Sequence, residues 1–151
     1  MEFEWGNLIF ACISCNRTKG KVDNIINPIF VDPENCISLS ISADEDIKDK
    51  VIITILDSNY ELNGTVALLE KIYNAKDGSD QRKQGSSKLR NNIAIDVRRF
   101  EGYIKLYLEE PDLGYDKKIR NALSISSEFV SFKRQIIRDD PKLYEIFKDD
   151  F

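Results

Sequence analysis

The chain has 151 residues, 42% of them hydrophobic and 32% charged, with a formal net charge of −4 and no histidine. That length fits one ordinary domain, the apolar share excludes a disordered chain, and the negative balance excludes a general attraction to nucleic acid, so any such contact needs a local basic patch. Three cysteines and the acidic opening MEFEWGNLIF argue against a disulfide framework, a secretory leader and a bilayer-spanning segment, and point to a reducing cytoplasm.

In chain order, Asn7–Ala11 is short and apolar and suits a strand, with Trp5 as its core anchor. Cys12–Lys21 suits a short helix ended by Gly20. INPIFVDPEN, residues 26–35, carries two prolines flanked by Asn and Asp and reads as a constrained loop without regular structure. Ile37, Leu39 and Ile41 then alternate with Ser38, Ser40 and Ser42, the period-2 signature of a strand with one buried face. The polar ADEDIKDK is turn-like, and the β-branched run Val51–Leu56 supplies a second strand.

After Gly64 the period changes. Val66, Leu68, Leu69, Ile72 and Tyr73 recur near 3.6 spacing and predict a helix over 65–75. The polar stretch KDGSDQRKQGSS, 76–87, reads as a link, followed by a long helix over about 87–109 that stops before Pro111. Further helices are expected over 117–123, from a cap at Ser126 or Ser127, and from Pro141 onward. Phe100, Tyr103, Tyr107, Phe129 and Phe132 fall at helical spacing and are read as core. The fold class is α+β: a motif-bearing segment and small β element over 1–57, then a helical part over 58–151 of the same domain.

The densest chemistry lies in WGNLIFACISCNRTKGK. Cys12 and Cys15 have the spacing that lets two thiolates share a metal ion, while a free dithiol and a redox pair are the plainer alternatives. The redox pair needs a βαβ setting that this chain does not supply. Cys36 reads as a small buried apolar residue rather than a ligand.

The wider pattern, Asn7-Leu8, Cys12-x-x-Cys15-Asn16 and Lys19-Gly20, resembles the second half of the HNH endonuclease motif. INPIFVDPEN is in turn similar to a stretch that follows the motif in HNH proteins of the retron and Septu-type (PtuB-like) anti-phage systems. The tail SEFVSFKRQIIRDDPKLYEIF has the look of theirs. The resemblance implies part of a ββα-metal fold and a DNA endonuclease working with a divalent ion such as Mg2+. It makes Asn7 the loop brace and Asn16 the catalytic metal-binding position. It makes Cys12 and Cys15 one pair of a structural zinc site, and brings Arg17, Lys19 and Lys21 to the DNA backbone. An ATPase subunit of a defence system is the partner it implies.

The departures are as specific as the matches. The resemblance puts a first Cys-x-x-Cys pair and the catalytic His ahead of Trp5, where the chain has only MEFE. Zinc therefore needs that missing pair, and hydrolysis needs the missing base. The chain is expected to be inactive alone, as a truncated piece of a longer HNH protein. The alternative is a degenerate HNH scaffold that binds protein or DNA without catalysis. A second basic group, Arg82, Lys83, Lys88, Arg90, Arg98 and Arg99, reads first as ordinary surface and second as a DNA or partner contact. Asp23 and Glu34 follow the motif within reach of a metal there, but as isolated acids near a loop they read first as surface.

Overall fold

The computed structural model describes residues 18–20, 22, 24–42, 48–58 and 60–151. They form six helices and a two-stranded antiparallel hairpin, an α+β fold. The expected strand at 7–11, Trp5 and most of the expected helix at 12–21 lie outside the described residues. Among the described residues, no helix is long and apolar enough to cross a membrane.

The chain divides into two compact units, one taking the chain up to Ser38 with Ile53–Ser87, the other Leu39–Ile52 with Lys88–Phe151. In the first unit the proline-rich stretch is more ordered than its composition suggests. Asn27 folds a turn on itself: its side-chain oxygen accepts from Ile29 N–H at 3.0 Å, and its carbonyl accepts from Phe30 N–H at 3.0 Å. Asp32 then caps a single helical turn, α1 (Pro33–Cys36), by accepting from Glu34 N–H at 3.0 Å, with Pro33 in the first position, where no N–H is needed. The expectation of a loop without regular structure is corrected there. Prolines exclude a long element but favour the first turn of a short one.

The hairpin joins β1 (Ile37–Ser42) to β2 (Lys50–Ile55). Leu56 N–H donates to Cys36 C=O at 2.8 Å, one residue beyond both strands, which sets Ile37 opposite Ile55 and Ser42 opposite Lys50. Asp49 ends the intervening turn with φ +53, a conformation that Asp tolerates better than most residues.

Helix α2 (Asn63–Tyr73) falls where the periodicity put it. Within its first turn Thr65 is buried and accepts from Ile26 N–H at 2.9 Å, which ties the proline-rich stretch to the helix. Helix α3 runs from Asp80 to Glu109, 30 residues and about 45 Å. Its first two turns were expected to be a link. DQRKQGSS has no apolar residue, so periodicity is silent there. Yet Gln, Arg and Lys are good helix formers and Asp80 suits the positive end of the helix dipole. Ser86 fixes this segment: its hydroxyl donates to Tyr73 C=O and accepts from Ala75 N–H at 3.1 Å.

The second unit is built on a core of Phe100 and Ile104 from α3, Ile119 and Leu123 from α4 (Tyr115–Leu123), Ile137 from α5 (Val130–Asp139), and Leu143 and Phe147 from α6 (Pro141–Phe147). Each such side chain contributes about 1.5–3 kcal/mol by leaving water. Pro111 prevents α3 from continuing, and Gly114, at φ +75, reverses the chain into α4.

Helix α5 does not start from a serine cap as expected. Ser124 and Ser126 instead make a local turn, Ser127 N–H donates to Ser124 C=O at 2.8 Å, and Phe129 opens the helix in a left-handed conformation, φ +52. Asp140 serves two helices at once. Its N–H donates to Ile137 C=O at the end of α5, and its carboxylate accepts from Lys142 and Leu143 N–H at the start of α6.

Candidate functional site

Of the motif residues, only Lys19 and Gly20 are described. Asn7, Cys12, Cys15, Asn16, Arg17 and Lys21 lie outside the described residues, as does Asp23. Thr18 and Lys19 are helical, and Gly20 follows at φ +50, the left-handed conformation that ends helices. Val22 N–H donates back to Lys19 C=O at 3.0 Å, closing the turn. Lys19 is exposed, open to an approaching phosphate or to water.

The Asn27-Pro28 and Asp32-Pro33-Glu34 signals have a local physical account. The side chains of Asn27 and Asp32 are spent on backbone N–H groups within two residues, so they organise the chain. Between them, Ile29 and Phe30 stand at the tip of the turn, exposed to 61% and 79%. Cys36 is 1% exposed and free, and burial, reinforced by Asp57 and then Asp32, pushes its thiol above the ordinary range. Among the described residues, no group of three or more Cys, Asp and Glu side chains could hold a metal ion.

The second basic group resolves into separate roles. Arg90 is buried and donates from Nε to Lys48 C=O at 3.1 Å. Burial lowers its pKa and Asp49 partly offsets this. Arg98 pairs with Asp49 at 2.6 Å and Arg99 with Asp96 at 2.5 Å. Periodicity could not show this, because each partner is remote in sequence or on the same helix. The sequence reading also missed Lys133, whose side chain is only 3% exposed. It donates to Asp96 at 2.9 Å and to Ser127 at 2.7 Å.

A groove of about 280 Å³ opens in the second unit, lined by β1, the turn residue Asp49, α3 and α5. Its apolar lining includes Val97, Phe132 and Ile136, and its carboxylates are Asp49, Glu101 and Asp139. Nothing in the sequence pattern singles these residues out, because separate elements and a turn bring them together. Comparison with known protein families, curated proteins and solved structures gives no match for this chain.

Proposed function

We propose that this chain is an HNH-type endonuclease, or part of one, acting on DNA phosphodiesters with a divalent ion in anti-phage defence. The observation that supports this reading is the spacing Asn7, Cys12-x-x-Cys15-Asn16, Lys19-Gly20, joined to a helical Thr18–Lys19 that ends at a left-handed Gly20. In this reading Asn16 belongs to the metal position, Arg17, Lys19 and Lys21 neutralise phosphates, and Asn7 braces the loop.

The donors in the chain do not complete either metal site. Two thiolates leave a tetrahedral zinc half coordinated. A carboxamide is a weak donor for a divalent ion that prefers carboxylate and water oxygens. No histidine is present to take the proton from an attacking water. The 151 residues by themselves are therefore proposed to leave DNA intact, and the same lack of histidine favours, as the second reading, a binding module on an HNH-like scaffold.

Nicking of supercoiled plasmid in Mg2+ or Mn2+ separates these readings. The chain alone is expected to be inert. The chain extended through the coding sequence upstream of Met1 is expected to nick, and Asn16→Ala in that extended chain to abolish it. An inert extended chain would overturn the nuclease reading in favour of the binding module. Nicking by the 151 residues alone would overturn the requirement for an external base.

A further inference from the structure

The groove of the second unit combines three features that select one kind of occupant. The first is charge. Arg98 is held by Asp49 at 2.6 Å, so that pair is close to neutral, and Glu101 and Asp139 remain as carboxylates facing the groove. Glu101 is exposed, and among the described residues it has no ion-pair partner. Asp139 accepts one hydrogen bond from the neutral Gln135 and is the last residue of α5, where the helix dipole adds partial negative charge. The second feature is the apolar side chains of Val97, Phe132 and Ile136 in the lining, against which a methylene stem can pack.

The third feature is the strand. Ser40, Ile41 and Ser42 all line the groove, and successive strand residues point to opposite faces, so the groove follows the edge of β1 and not one face. Among the described residues, β1 pairs with β2 alone, along one of its two edges. The bond from Leu56 N–H to Cys36 C=O fixes the parity: even-numbered residues turn their backbone groups to β2, and Ile41 turns its own away.

We propose that this groove receives an extended basic segment of a protein partner, lying along the outer edge of β1 with a lysine or arginine stem against Val97, Phe132 and Ile136 and its cation facing Glu101 and Asp139. Backbone pairing supplies the direction and the carboxylates supply the selectivity. A second copy is disfavoured as the occupant, because the chain carries a net charge of −4.

The probe is the acetylated, amidated pentapeptide Thr-Val-Arg-Val-Thr, with its Arg→Glu analogue as control, titrated into 15N-labelled protein. The arginine peptide is expected to shift the amides of 40–42, 97–101 and 132–139 and to slow hydrogen exchange at Ile41 at least about tenfold at saturation. The double variant Glu101→Gln, Asp139→Asn is expected to keep the folded spectrum and weaken binding about tenfold. Four results would each overturn the proposal: no localised shift up to about 5 mM peptide, equal binding of the glutamate peptide, undiminished binding to the variant, or self-association of the free chain through β1.

Discussion

Asp96→Ala tests the polar cluster inside the second unit. Asp96 takes two cations: Lys133, 3% exposed, and Arg99, 59% exposed. Removing the carboxylate leaves the Lys133 ammonium buried with the Ser127 hydroxyl as its remaining acceptor here, while Arg99 turns to water. Breaking a buried pair from one side costs about 3–5 kcal/mol, and the partial exposure of Asp96 places this case near about 3. The converse change, Lys133→Met, keeps the apolar stem and leaves Asp96 bonded to Arg99, so about 1–1.5 kcal/mol is expected. Urea unfolding followed by circular dichroism reads both. With a slope near about 2 kcal/mol/M, Asp96→Ala lowers the midpoint by about 1.5 M and Lys133→Met by roughly half that or less, the slope being unchanged. A cost for Asp96→Ala at or below that of Lys133→Met would refute the reasoning, because it would mean the ammonium finds water or another acceptor without Asp96.

Two further outcomes follow from burial. Phe147→Ala should cost about 3–5 kcal/mol in the same unfolding assay, since the ring is fully buried, meets Tyr107 edge-on at 5.5 Å and carries the Arg120 guanidinium at 5.2 Å. In a Cys12→Ser, Cys15→Ser background, Cys36 should resist iodoacetamide at pH 8 until urea unfolds the chain. Its raised folded pKa also means that above about pH 8.5 the unfolded thiol loses its proton first. Stability should therefore fall as pH rises from there toward the folded value, and Cys36→Ala should flatten that slope.

Where one face of an element is buried, the sequence disclosed it. Ile37, Leu39 and Ile41 against three serines predicted β1 within its true bounds, and Val66 to Tyr73 predicted α2 to within two residues. The first turns of α3 escaped because apolar periodicity cannot report a segment with no apolar residue, here anchored through Ser86. The start of α5 escaped because serines compete for local turns as readily as for caps. At the candidate site, Gly20 was legible as a helix end, since its left-handed backbone is what glycine permits. Asn27 and Asp32 were legible as turn formers. The partners of Arg98 and Lys133 were not, because Asp49 and Asp96 lie 49 and 37 residues away.

Asp140 joins α5 to α6 with no residue to spare, capping the end of one and the beginning of the other. The junction is therefore intolerant of length, though tolerant of composition on its outer side. One residue inserted after Asp139 would turn α6 by about 100° against α5 and carry Leu143 and Phe147 away from the positions they fill. Variants that change the length of the chain should thus be rare at this corner and commoner in the turn at 124–128, even where both accept substitution.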